Sequence, residues 1–461
     1  MHGMYLLFVL LLSQICSGFV VISESAQSVI RVPKDCPTIQ QAVNIADNGD
    51  VIFVAAGTYY EHVLINKTLT LVGEDPSITV IDGDGTGTII QIDADNVVVD
   101  GFTLRNATFG IFLNSNGNKI ANNKIMFCWT DGISANTSDC HIIRNNELLN
   151  NGDGYPGLLW GGGVDLVVSD CNIVSYNFMS GNVFFGVAVM LGQNNLVTQN
   201  VMDSQKDAGI LLFDAVNNSF IGNTIRNNSF GIDLISSYEG TYGNIFYHNN
   251  LVGNIQQEDH HLGETPYSAN SWNNSSGEGN YWSDYKGEDL NGDLLGDTNL
   301  PHRNVDYYPL MIPYGPSFYT FNTSWEEKNY SVTVETDSAI TAFNFTQTRK
   351  ELSFNATCPK YAEGFFNFTI PKELLKANST HPWKVILNST ETEYISTENI
   401  THSFLYLNVT APATYGIYVF GSEVIPEFSL ISKILILPTL ILMILFLRKR
   451  FKKKNAIKKA F

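Results

Sequence analysis

Two Ser-Asp-Cys triplets, Ser138-Asp139-Cys140 and Ser169-Asp170-Cys171, stand at the same offset from two asparagines, Asn146 and Asn177. If the chain stacks these segments in register, Asp139 and Asp170 lie about one strand spacing apart, ~5 Å. Carboxylates that close raise one pKa, bind a cation, or match the separation that retaining glycosidases use. The twin cysteines are placed for a disulfide between the two segments, if their side chains leave parallel alignment. The competing reading is a repeated turn, in which each Asp caps backbone and each Cys packs as a small hydrophobe. No Arg or Lys base of the kind that a lyase needs accompanies them, which weighs toward the turn.

Three other groups invite chemistry. Asp289, Asn291, Asp293 and Asp297 offer oxygens at positions 1, 3, 5 and 9 of a short loop, a pattern suited to Ca²⁺. Leu294 stands where such loops place a turn glycine and Leu300 where they place a bidentate Glu, so a plain polar loop stays open. Glu258-Asp259-His260-His261 holds adjacent histidines for copper or zinc. Neighbours on a strand face opposite sides, so His260 and His261 converge only in a turn, and a solvated acidic loop is the rival reading. Trp129, Asp153, Tyr155 and Trp160 form the last group. Rings gathered at one corner suit the apolar faces of sugars, and the same rings would also serve as a lid on the core.

Whether these groups meet depends on a repeat. Asn123, Asn146, Asn177, Asn200, Asn223 and Asn249 each follow an apolar residue by three and precede another by two, at separations of 23, 31, 23, 23 and 26 residues. A second series, Gly110-Ile111, Gly132-Ile133, Gly163-Val164, Gly186-Val187, Gly209-Ile210 and Gly231-Ile232, keeps step with the first. A unit of that length is too short for a helix pair and holds two or three short alternating strands. Stacked units pair each strand with its successor and bury one apolar interior, which is a parallel β-helix. The asparagines then form a structural ladder of stacked amides. The 31-residue unit carries its excess between Asn151 and Gly163, at the corner where Trp129 emerges. Ile39, Val43 and Ala46 have helical spacing and predict a helix over 37–46 that plugs the first coil.

Composition sets the compartment. There are 45 Asp+Glu against 27 Lys+Arg, a net charge of -18, and eight of the basic residues fall in the last fourteen positions. So acidic a surface excludes nucleic acid as a partner. Residues 1–26 read as a signal-peptide region with cleavage near Gly18. Residues 426–447 read as an apolar anchor, and 448–461 as a basic cytoplasmic tail that orients the span. Between Pro316 and Ser422 every asparagine stands in a glycosylation sequon: Asn322, Asn329, Asn344, Asn355, Asn367, Asn378, Asn388, Asn399 and Asn408. The alternating strands of 316–421 predict a β-sandwich. Cys36, Cys128, Cys140, Cys171 and Cys358 remain after signal removal, an odd number for an oxidising compartment.

The stretches PTIQQAVNIADNGDVIFVAAGTYYEHVLINKTLTLVGE and GNYWSDYKGEDLNGDLLGDTNLPHRNVDYYPLM resemble the opening and closing segments of NosD-type β-helix proteins, over roughly residues 29–315. The resemblance implies a right-handed, pectin-lyase-like parallel β-helix over 27–315 and, as a family label, copper binding; that family is also grouped with carbohydrate-binding proteins and sugar hydrolases. Pro426-Glu427-Phe428 with the apolar and basic segments resembles the PEF-type sorting signal of archaeal surface proteins, which implies processing by a membrane sortase. The expectation is an all-β protein on the outer face of the cell membrane with a binding or structural role toward polysaccharide, glycan or surface-layer components. A carbohydrate-active lyase or hydrolase and a copper-binding accessory protein are the alternatives.

Overall fold

The computed structural model describes residues 27–154, 161–237, 240–261, 269–325, 328–359, 364–378 and 382–422. The expected signal segment, anchor and tail, together with Tyr155 and Trp160, lie outside them. Among the described residues no helix is long and apolar enough to cross a membrane.

The described solenoid is a parallel β-helix, and its register follows the repeat. One nine-stranded sheet runs from Val63–Ile65 to Gln256–His261. Within it Ile111, Ile133, Val164, Val187, Ile210 and Ile232 lie one above another. All six are fully buried, because alternation sends every second side chain into one interior. A second sheet climbs from Val29–Val32 through Val51–Val54 and Thr70–Gly73 to Ser219–Ile221, and a third starts at Gly57–Tyr60. The glycine series is a packing requirement. A Cβ on Gly110 would stand 2.4 Å from the Gly132 carbonyl oxygen, and one on Gly163 would stand 2.4 Å from that of Gly186.

The asparagine ladder is real, and there are three. In the column read from sequence, Asn146 Oδ1 accepts from the Asn123 N–H at 3.0 Å, and Asn177 Oδ1 accepts from Asn146 at 2.9 Å. Asn200 and Asn223 continue it. A second column runs Asn118, His141, Asn172, Asn195, Asn218, Asn244 and Asn270. A third runs Asn151, Asn182, Gln205, Asn228 and Asn254. These amides satisfy the corner N–H groups that no strand partner reaches.

The plug is the helix Ile39–Ile45. Thr38 caps it by accepting from the Gln41 N–H, and Ile39, Ala42 and Val43 are fully buried. Glu61 accepts from the Ile39 and Gln40 N–H groups, both at 3.0 Å, and Lys67 Nζ donates to the Val43, Asn44 and Ala46 carbonyls. Each charge sits at the helix end that favours it.

A second compact unit holds Phe246–Asn250 and the residues from Trp272 onward. Here Asn280 Oδ1 accepts from the Asn249 N–H, while Asp306 Oδ2 accepts from the Asn280 N–H and from Trp282 Nε1 at 2.8 Å. Two five-stranded antiparallel sheets follow, from Ser317–Trp325 to Ala413–Phe420. Their facing sides carry Val332, Val334, Leu352, Phe354, Phe366, Phe368, Leu405 and Val419 in one buried cluster, the packing of a β-sandwich.

Candidate functional site

The Ser-Asp-Cys triplets do stack, and their geometry makes the acids structural. Asp139 Oδ1 accepts from the Asp170 N–H at 2.8 Å, and Asp170 Oδ1 accepts from the Gln193 N–H at 2.8 Å. Asp95 and Asn116 do the same for the coils before them. Asp139 and Asp170 are thus two rungs of a column of turn caps, each with an oxygen committed to backbone. The cysteines depart from expectation. Cys140 and Cys171 do not pack as small hydrophobes but are exposed, since the turn points them away from the interior.

The long coil gathers a different set. Its excess is flanked by glycines in the sequence, Gly152 and Gly154 before it and Gly161 to Gly163 after it. The Gly152 N–H donates to the Cys128 carbonyl at 2.8 Å and the Gly154 N–H to the Trp129 carbonyl at 3.1 Å. Trp129 is half-buried beside them. Asp153 is exposed and stands 3.7 Å from Lys206, a surface pair of little energetic weight.

Beneath that corner lie two acids that sequence reasoning passed over. Asp131, 4% exposed, accepts from the Gly162 N–H at 2.9 Å. Asp165, 8% exposed, is placed by the strand Val164–Val167 in register with Ser134, and among the described residues its Oδ1 has no hydrogen-bond partner. Desolvation pushes the Asp165 carboxyl up to about 7. Desolvation, and then the neighbouring Asp165, raises Asp131 well above the carboxylate range. No Lys or Arg contributes to either shift, so the pair holds a proton or a cation rather than two free charges. The sequence signal was register alone. Asp131 precedes Gly132, and Asp165 follows Val164, in the glycine series.

The metal candidates fare differently. Glu258 and His260 belong to the strand Gln256–His261, paired in register with Ile232 and Leu234, so both side chains point inward and are buried. The solvated acidic loop is therefore corrected to a buried strand. His260 and His261 belong to that strand and not to the turn that convergence would require. In the calcium-like loop the side chains serve the loop's own backbone. Asp289 accepts from the Gly292 and Leu294 N–H groups, Asn291 from Asp293, Asp293 from Leu295, and Asp297 from Leu290, at 2.7 to 3.0 Å. Among the described residues no group of three or more His, Cys, Asp or Glu side chains is arranged to hold a metal ion. A copper centre finds no assembled donor set there.

Comparison with known proteins places these coils in context. A family model described as periplasmic copper-binding protein (NosD) matches residues 43–287. A cell surface glycoprotein of Methanothermus fervidus is 26% identical over 317 residues, covering 55% of this chain and 52% of that protein. A probable ABC transporter binding protein NosD of Pseudomonas aeruginosa is 28% identical over 142 residues, 30% of each chain. The chain therefore spans about half or less of the curated relatives it matches. Among solved structures, a periplasmic alginate epimerase AlgG mutant aligns with a TM-score of 0.37 at 18% identity, covering 47% of this chain and 58% of that one. PfbA, a surface adhesin of Streptococcus pneumoniae, aligns at 0.37 and 12%, covering 48% and 74%.

Proposed function

The chain belongs to the NosD family, and from that premise we propose that its solenoid is a ligand-presenting surface carried outside the cell, with the corner of the long coil as a polysaccharide-binding site. One observation carries the reading. Between Asn123 and Asn223 one coil, of 31 residues, departs from a 23-residue period, and at its base the chain brings together Trp129, the Asp153 turn and the Asp131–Asp165 pair. An aromatic face beside a few fixed polar groups is what a sugar ring requires. The surface location draws on the similarity to a cell surface glycoprotein and on the sequons of the sandwich.

The test is retention of the full chain on a panel of acidic and neutral polysaccharides, compared with Trp129→Ala and Asp153→Ala. Binding weakened at least tenfold in Trp129→Ala, with an unchanged far-ultraviolet spectrum, supports the site. Equal retention of wild type and both variants, or none on any polysaccharide, overturns it.

The acid pair favours a second reading, a carbohydrate-active enzyme in which a protonated Asp165 is a general acid. Release of new reducing ends or unsaturated products by the wild type, abolished in Asp165→Asn and kept in Asp139→Asn and Asp170→Asn, would replace the binding role with this one. Ca²⁺ at Asp289, Asn291, Asp293 and Asp297 is a further proposal, with a stabilising role. A rise in Tm on adding Ca²⁺ that Asp293→Asn removes would support it, and no rise would end it. Copper finds no such support among the described residues.

A further inference from the structure

We propose that Cys140 and Cys171 are joined in the mature protein by a disulfide that staples the long coil to its neighbour. Of the five described cysteines, Cys36, Cys128 and Cys358 are buried, while Cys140 and Cys171 are exposed and stand one above the other. The turns that carry them are locked coil to coil. The Cys140 N–H donates to the Asp170 carbonyl at 3.0 Å, the Cys171 N–H donates to the Gln193 carbonyl at 3.1 Å, and Asp139 caps the Asp170 N–H. Both residues have the same left-handed backbone, φ 61° and 58°, at a position held by Asn96, Gly117 and Asn194 in nearby coils. Identical backbones stacked at about 4.8 Å give a Cα separation inside the disulfide range. The Cβ atoms stand at about the same spacing, ~4.8 Å, slightly above the usual disulfide range, so closing the bridge takes a rotation of each side chain and a slight approach of the two turns. Desolvation and then the adjacent Cys140 raise the Cys171 thiol, and the two side chains are close enough to hydrogen-bond.

The position has a purpose that the fold makes visible. The bridge closes the 31-residue coil and brackets the whole departure from the repeat, Asn151 to Gly163, between its ends. Between Asn177 and Asn223 stacking of regular 23-residue coils is enough. Here an insertion interrupts the period, and a covalent tie holds the base of the proposed binding corner in register. The reaction is thiol–disulfide exchange. One thiolate attacks a disulfide oxidant and releases one oxidant thiol; the second cysteine thiolate then displaces the other. Two S–H bonds are replaced by one S–S bond, and the oxidant disulfide is reduced to two thiols. The extracellular location proposed above supplies such an oxidant, whereas the geometry stands without it.

The full chain, purified without reductant and treated with oxidised glutathione, is denatured, alkylated and mapped by mass spectrometry. The expected result is one linked peptide pair containing Cys140 and Cys171, lighter by two hydrogens than the free thiols, with Cys36, Cys128 and Cys358 alkylated. Reduction should then lower the Tm of the wild type by several degrees and leave the Cys140→Ser, Cys171→Ser double variant unmoved. Alkylation of both Cys140 and Cys171, stable glutathione adducts on each, or a bridge between two chains would overturn the proposal. Linkage in glutathione but free thiols in protein taken from its native cell would also overturn it, and with it the oxidising location, while leaving the two thiols within reach of each other.

Discussion

Asp165 and His141 are buried titratable side chains whose shifts oppose each other, and each yields a separable test. Asp165 is raised to about 7 in the fold, against an unfolded value of about 3.9. Between those values the folded state holds a proton that the unfolded chain has released. Stability therefore falls as pH rises through this window and levels off above it. Asp165→Asn removes the charge, so it should raise stability by roughly 2 kcal/mol at about pH 8 and by nothing near pH 4, a figure discounted because Asp131 shares the titration. Urea unfolding of both proteins at the two pH values reads this directly, and an equal effect at both would refute it. A buried side chain that lowers stability at neutral pH fits a functional role better than a structural one, in keeping with the corner proposed as the site. His141 runs the other way. Desolvation lowers it to about 4; its Nδ1 accepts from the Asn118 N–H and its Nε2 meets Ser138 Oγ. Below its unfolded value of ~6.5 the unfolded chain takes up a proton that the fold refuses, so stability is lost as pH falls from there toward 4. Asparagine occupies this rung in every neighbouring coil of the column. His141→Asn should therefore be within ~1 kcal/mol of wild type at neutral pH and about 2 kcal/mol more stable near pH 5. Thermal unfolding across that range decides it.

Among the elements, the asparagine columns carry the most weight, because each rung satisfies groups in two coils at once. Asn177 accepts from the Asn146 N–H and Nδ2, and donates to the Ile143 carbonyl and to Asn200 Oδ1, all within 2.9 to 3.0 Å. Asn177→Ala leaves a backbone N–H, a carbonyl and two side-chain amides short of partners in a dry interior. The expected cost is about 3 kcal/mol or more, against ~0.5 for a surface alanine. A loss as small as the surface value in denaturant titration would mean that water replaces the rung. This column was readable in the sequence because its apolar flanks recur at fixed offsets. The other two were not, since His141 interrupts one and Gln205 interrupts the other, so no single residue type repeats. The plug helix was readable from the spacing of Ile39, Val43 and Ala46. The acid pair was not, because periodicity tells which face of a strand a residue occupies and not what covers that face. Asp165 sits on the outward side by alternation, between the inward Val164 and Leu166, and is nevertheless buried. The same limit misplaced Glu258 and His260, whose charges argued for solvent while the register drew them inside.

Taken whole, the molecule sets two groups of asparagines to different tasks. Those in the ladders are buried, and none stands in a sequon. Those of the sandwich all stand in sequons, and eight of the nine are exposed, with Asn367 half-buried. The geometry of a strand explains the second arrangement. A sequon places its asparagine and its hydroxyl residue two positions apart, which is the period of a strand, so both face solvent while the residue between faces the core. Ala356 between Asn355 and Thr357, Phe368 between Asn367 and Thr369, and Val409 between Asn408 and Thr410 are all buried in this way. Sugars on these sites would clothe the outer faces of both sheets, and exposed sequons at Asn66, Asn136, Asn217 and Asn227 offer further sites on the solenoid. Glycopeptide mapping of the full chain from its native cell should find glycans on sandwich asparagines and none on ladder asparagines. In unglycosylated protein, Asn355→Gln and Asn408→Gln should change stability by less than ~0.5 kcal/mol. Asn388→Gln should cost about 1 kcal/mol, because its side chain accepts from the Gly416 N–H at 2.7 Å and donates to the Thr414 carbonyl. Bare sandwich sequons in the native protein would remove the sugar coat from this account and reopen the outer sheet faces as contact surfaces.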